Sequence, residues 1–216
     1  MKLINALKSF LKPVAIVKYL FFPFMVANAG GTDVSTIIGA NQTITAKMET
    51  ENETWLGTNN GLWHISKDGK HVCHLTTANS VLPSNQITGI CQTANGEVFA
   101  STNKGLLHFD GYTYTTISTE NTKLPTNNIS GIACDNSGYI WLATAQNGLV
   151  MLKGFKTWGF TSNNSALNSN SITQIKNDQW GNVIVTLDNN SQVAITDEGM
   201  VLIEQPIIAD VIANKN

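Results

Sequence analysis

Residues 124–149 read LPTNNISGIACDNSGYIWLATAQNGL. The decisive part begins at Ile129, where the short run ISGIAC leads into the turn residues DNSG, and YIWLAT then leads into AQNG. Two short apolar runs rich in Ile, Trp and Leu, each stopped by Asn or Asp followed by Gly, predict antiparallel strands joined by tight turns. Gly supplies a positive φ at no steric cost, and Asn and Asp tolerate it. Nearly the same phrase occurs elsewhere, as ETWLGTNNGLWHI from Glu53 and EVFASTNKGLLHF from Glu97. NVIVTLDNNSQVAI from Asn182 is a weaker echo.

The copies keep a fixed period. Their opening strands start at Ile44, Ile87, Ile129 and Ile172, spaced by 43, 42 and 43 residues. Each opening strand runs to a turn, which has Gly fourth in TANG, DNSG and DQWG but reads TENE in the first copy. A second strand follows with Trp55, Phe99, Trp141 or Ile184 in register, then a third beginning GLWHIS, GLLHFD, GLVMLK or SQVAIT. A variable fourth strand and an Asn-rich connector (NSVLPSNQ, NTKLPTNN or NSALNSNS) complete the unit. Four short antiparallel strands in roughly 43 residues make a β-propeller blade. One such sheet has two apolar faces and can bury neither alone, so blades must stack. The expected fold is therefore all-β, a propeller-like array of four four-stranded blades at residues 44–86, 87–128, 129–171 and 172–216. DVSTIIG, Asp33–Gly39, predicts an additional strand within residues 30–43, available to latch the last blade.

The third copy resembles the two-component regulator propeller repeat, which joins a Leu-Pro-x-Asn lead, an Ile-rich strand, Asp-x-x-Gly-x-Ile-Trp and Thr-x-x-Gly-Leu. The second copy matches it with Thr93 for Asp and Phe99 for Trp, and the first and fourth keep parts of it. The resemblance spans residues 44 to about 197. It implies an exported propeller of the kind that forms the sensing part of bacterial hybrid histidine kinases responding to glycans. Streptogramin-type lyases use similar blades, so the resemblance also carries an enzymatic alternative. A further alternative is a structural fragment of a larger two-component sensor.

Residues 1–29 differ from the rest. Lys2, Lys8, Lys12 and Lys18 occur there without an acid, followed by YLFFPFMVA and the small residues ANA. These are the parts of a secretory signal peptide, and the apolar run is too short for the roughly 20 residues that span a bilayer. Cleavage after Ala29 predicts a periplasmic or extracellular protein, no longer membrane-bound, and takes the formal charge from −2 to −6. Mass measurement of the secreted protein should then find Gly30 at its N-terminus. All 13 basic residues are Lys; without the guanidinium fork, and with a negative charge, nucleic acid is not an expected partner. Cys73, Cys91 and Cys134 are an odd, sparse set, which reads as buried free thiols rather than a disulfide framework.

Chemistry-bearing patterns are few. His64 and His108 hold the same place in two copies, but the third has Met151 there, so repeat packing accounts for them better than catalysis. His71 and His74 lie three apart on an outer strand and face opposite sides. DNSG and DQWG lack the further oxygen ligands of a calcium loop. No catalytic residue, metal or cofactor is expected. The turns between second and third strands carry Asn59, Asn60, Asn103, Lys104, Gln146, Asn147, Asn189 and Asn190. Together with the connectors they share one face of a propeller, and amide side chains pair well with sugar hydroxyls. Trp63, Trp158 and Tyr112 are candidate stacking platforms, although blade packing is the commoner use. The expected role is binding or sensing of a neutral glycan or a protein ligand, with self-association as one way to complete the ring.

Overall fold

The computed structural model describes residues 38, 39 and 42–203; the signal-peptide segment and most of the additional strand lie outside these residues. All the described elements are strands, in four antiparallel sheets. The first sheet is β1 (Ile44–Glu49), β2 (Glu53–Thr58), β3 (Gly61–Ser66) and β4 (Val72–Leu75). The second is β5 (Ile87–Gln92), β6 (Val98–Thr102), β7 (Gly105–Phe109) and β8 (Tyr114–Ile117). The third is β9 (Ile129–Cys134), β10 (Ile140–Thr144), β11 (Leu149–Lys153) and β12 (Lys156–Phe160). The fourth is β13 (Ile172–Asn177), β14 (Val183–Leu187), β15 (Gln192–Thr196) and β16 (Gly199–Ile203). Each sheet is a meander in sequence order, so each is one blade of a propeller.

Alternation decides which face each residue serves. In β10, Ile140 and Leu142 turn toward the second blade, while Trp141 and Ala143 turn toward the fourth. The second-strand column residues of the first three blades point at the following blade: Trp55 packs with Val98 and Leu107, Phe99 with Ile140 and Leu142, and Trp141 with Val183 and Val185. The core is thus a series of dry layers between blades. The opening strands of successive blades pack side by side, and Gly89 and Gly131 permit this. A Cβ on Gly89 would press on Ile132, and one on Gly131 on Ile175. The turn glycines answer another need. Gly148 has φ +74, and a Cβ there would strike the Phe160 carbonyl.

Among the described residues the array is an open arc. Apolar layers join the first blade to the second, the second to the third and the third to the fourth, and none joins the fourth to the first. The end blades are built differently at these outer faces. Gln174 replaces the close-approach glycine of the opening strand, and Ile184 stands where the others carry an aromatic ring. At the other end, Ile38 is buried against Leu56 and Ile65 of the first blade, so this part of the additional segment lies on the first sheet rather than the fourth.

The cysteine reading needs correction. Cys91 and Cys134 form a disulfide between β5 and β9, with Cα atoms 5.7 Å apart, and Cys73 remains free. The reason is parity. Cys91 is fifth in ITGIC and Cys134 is sixth in ISGIAC, so the two side chains leave opposite faces of their sheets and meet across the gap between blades.

Candidate functional site

The turns between second and third strands do gather at one end of the array, with the connectors. Asn59, Asn60, Lys104, Gln146, Asn147, Asn189 and Asn190 are exposed and Asn103 half-buried. Several are occupied by the fold. The Asn59 side-chain oxygen accepts from the Thr43 amide (3.1 Å), and the Asn60 carbonyl lies 2.8 Å from His74 Nε2. Asn103 donates to Gln86 (2.8 Å) and Asn189 to Asn168 (2.9 Å). Asn190 supplies a left-handed turn residue with φ 63. The amides of Asn60, Lys104 and Asn147 donate to the buried hydroxyls of Thr58, Thr102 and Thr144. Connector asparagines are used the same way in each copy. Asn79, Asn121 and Asn164 each accept from the backbone amide three residues earlier, at 2.7, 2.9 and 2.7 Å. Asn85, Asn127 and Asn170 each accept from an amide eight residues earlier at 2.8 Å. Turn and connector closure thus uses much of the amide capacity at this end.

The opposite end carries two clefts, each between neighbouring blades. The first, about 400 Å³, opens between the second and third blades. Its inner wall is Phe99, Ile117 and Ile140, its rim includes Asn95, Asn136 and Ser137, and Phe155 stands over it, 56% exposed. Cys91 and Cys134 tie together the two opening strands that flank it. The second cleft, about 630 Å³, opens between the third and fourth blades, against Trp141, Met151 and Phe160, with Trp180 on its rim. The floor between these blades is fastened by Asn136 Nδ2 to the Trp180 carbonyl (3.0 Å) and Asn177 Nδ2 to the Cys134 carbonyl (2.9 Å). Phe99, His108, Trp141 and Met151, which line these clefts, read from the sequence as packing residues rather than as binding residues. The available signal was a ring at a turn position, Trp180 in DQWG, where the second and third copies have Asn95 and Ser137.

Of the suggested stacking platforms, Trp63 stacks on His74 with centroids 3.9 Å apart. Tyr112 is 84% exposed in the turn between β7 and β8, and Trp158 on β12 is partly exposed. Tyr112, Phe155 and Trp180 all sit on turns at the cleft end.

The two equivalent histidines are built as packing units with an acid attached. His64 lies flat on Trp55, centroids 3.8 Å apart, with Nε2 3.1 Å from Glu53 Oε1. His108 lies on Phe99 at 4.4 Å with Nε2 3.0 Å from Glu97 Oε2, and both residues line the first cleft. Burial holds the His64 pKa below its ordinary value, although Glu53 pulls it up. The unfolded chain therefore binds a proton here more readily than the folded one. This contribution to stability is full above about pH 6.5 and is lost as pH falls from there toward the folded-state value. Urea unfolding from about pH 8 to about pH 5 should show a falling midpoint. His64→Met, the residue type the third blade uses at this place, should reduce that fall; an unchanged slope would contradict the assignment. Among the described residues no group of three or more His, Cys, Asp and Glu comes together to hold a metal ion. No helix among them is long and apolar enough to cross a membrane.

Comparison with known proteins agrees with this architecture. Residues 123–146 match the family described as Two component regulator propeller. No curated protein sequence matches the chain. The extracellular domain of BT3049, assigned to a hybrid two component system of B. thetaiotaomicron, superposes with a TM-score of 0.61 at 22% identity, over 76% of this chain and 23% of that one. The extracellular domain of BT4673, assigned to a one component system of the same organism, gives 0.60 at 19% identity, over 86% and 27%. Virginiamycin B lyase from Staphylococcus aureus gives 0.60 at 16% identity, over 77% and 57%. The chain thus spans about a quarter of the two sensor domains and somewhat over half of the lyase. The stretch 123–146 thus matches the two-component regulator propeller repeat, and the fold is the propeller fold shared by the sensor domains and the lyase.

Proposed function

We propose that this chain is an exported, non-catalytic binding module of the sensor-propeller type, and that it takes a neutral carbohydrate in the cleft between the second and third blades. The observation that carries the reading is the make-up of that cleft. Phe155 offers an exposed ring at the mouth, the inner wall is apolar, and the rim carries Ser137 with the amide capacity that Asn95 and Asn136 keep beyond their bonds to Thr93, Glu97 and Trp180. A ring face beside amide and hydroxyl groups suits a sugar, whose C–H faces stack while its hydroxyls exchange hydrogen bonds. Export is supported by the basic and apolar leader, by the extracellular placement of the sensor domains it resembles, and by the disulfide, since such bonds persist in oxidising compartments.

Calorimetric titration with a panel of neutral oligosaccharides tests the reading. At least one should bind, and Phe155→Ala should weaken it about tenfold while leaving the unfolding midpoint unchanged. A panel with no binder, or a binder indifferent to Phe155, would remove the carbohydrate. The lyase alternative has one feature in its favour, the His108–Glu97 pair opening on the same cleft. Cleavage of a streptogramin B substrate that is abolished by His108→Ala would replace binding with catalysis.

A further inference from the structure

The cleft between the third and fourth blades has a different chemistry from its neighbour. Four aromatic side chains line it, Tyr139, Trp141, Phe160 and Trp180, along with the thioether side chains of Met151 and Met200. Three carboxylates line it as well, Asp135, Asp197 and Glu198, and no Lys or His does. We propose that this cleft binds an organic cation, an alkylammonium or guanidinium group, between its rings and its carboxylates. The inference goes beyond the carbohydrate reading and uses different residues.

Three features point to a cation. Ring faces are electron-rich and attract ammonium and guanidinium groups within about 6 Å of the centroid, most strongly for Trp. One ring of the lining already holds a cation: Lys153 Nζ, from the lining of the first cleft, sits 4.1 Å from the centroid of the Tyr139 ring, which leaves Trp141, Phe160 and Trp180 for a ligand. The carboxylates are arranged at two depths. Asp135 is held in place, accepting from Trp141 Nε1 at 2.8 Å and from the amides of Ser137 and Tyr139 at 2.9 Å each. It sets a fixed negative charge against the inner ring. Asp197 and Glu198, in the turn between β15 and β16, are exposed at the mouth, where they draw a cation in from solvent. Trp180 faces the same mouth and is 71% exposed, a cost in apolar exposure that blade packing does not explain. A cleft of about 630 Å³ holds a trimethylammonium head or a lysine side chain with room for water. A neutral polar ligand would use the rings but leave the charges of Asp197 and Glu198 at the mouth unmatched.

The cation can belong to a small molecule or to a basic side chain of a polypeptide, and the test separates them. The intact folded protein is titrated, by tryptophan fluorescence and calorimetry, with choline, with its neutral isostere 3,3-dimethylbutan-1-ol, and with a short lysine-containing peptide. Choline or the peptide should saturate in the millimolar range or below, and the isostere should bind at least about tenfold more weakly. Tighter binding of the peptide assigns the cation to a polypeptide, and tighter binding of choline to a small molecule. Trp180→Ala should weaken the cation about tenfold, and Asp197→Asn with Glu198→Gln should weaken it and flatten its salt dependence. These positions are on the surface, so the unfolding midpoint should stay put and a failed fold is not the explanation. Phe155→Ala should leave cation binding unchanged, which keeps this outcome separate from that of the carbohydrate. Failure of every cation to saturate, or equal binding of the isostere, overturns the proposal.

Discussion

Replacing Trp141 by Ala is expected to destabilise the protein by roughly 3–5 kcal/mol, the range for truncating a buried aromatic residue. Trp141 is only 5% exposed and lies in the layer between the third and fourth blades with Val183, Val185 and Val193. These β-branched side chains, held by sheets on both sides, cannot collapse into the space that the ring leaves. The indole also donates from Nε1 to Asp135 at 2.8 Å, so truncation removes a charge-assisted hydrogen bond as well. Trp141→Phe, which introduces the ring that the second blade carries as Phe99, keeps most of the packing and loses that bond; it should cost about 1.5–3 kcal/mol. Urea unfolding of the three proteins checks both values. A loss below about 1 kcal/mol for the alanine variant would mean that the fourth blade does not pack on the third as described.

Removal of the disulfide is expected to cost about 4 kcal/mol, from the chain entropy released when a loop of this size is no longer closed in the unfolded state. The bond joins residues 43 apart in sequence, one residue more than the repeat between these two blades, and bridges two blades rather than two strands of one sheet. Its loss should therefore act on the seam under the first cleft. The variant Cys91→Ser with Cys134→Ser leaves Cys73 as the only thiol to track. Its urea midpoint should drop, and amides of β5 and β9 should exchange faster than those of β1. Reduction of the natural protein should give the same midpoint shift. If neither treatment moves the midpoint, the blades hold together by apolar burial alone and the staple contributes nothing to stability.

How far these features could be read in advance depends on their range in the chain. Four blades, their strand order and the second-strand column were legible because each is local: turn residues, period-two alternation and a 43-residue repeat are written in consecutive positions. Trp141 could be placed in a layer between blades because its equivalents Trp55 and Phe99 sit at the same offset in their copies. The disulfide was not legible from the number of cysteines. It depends on a one-residue difference in offset that turns Cys91 and Cys134 toward each other, and that matters only once the second and third sheets are side by side. The candidate amides at the turns lie at the connector end of the array, as turns between second and third strands of a meander must. What their side chains do there depended on partners such as Gln86 for Asn103 and Asn168 for Asn189, which the folded connectors bring near.

The sequence by itself determined the repeating unit, because a strand's length, its turn and the two faces it must bury are set by neighbouring residues. It also determined that the blades must stack, since no single sheet can cover both of its apolar faces. Only the tertiary structure decided what lies between them. The clefts have walls taken from two blades each: Phe99 from one and Ile140 from the next, Trp141 from one and Glu198 from the next. Residues so far apart in the chain come within reach only through the angle at which one sheet leans on another, and that angle comes from the packing of whole layers.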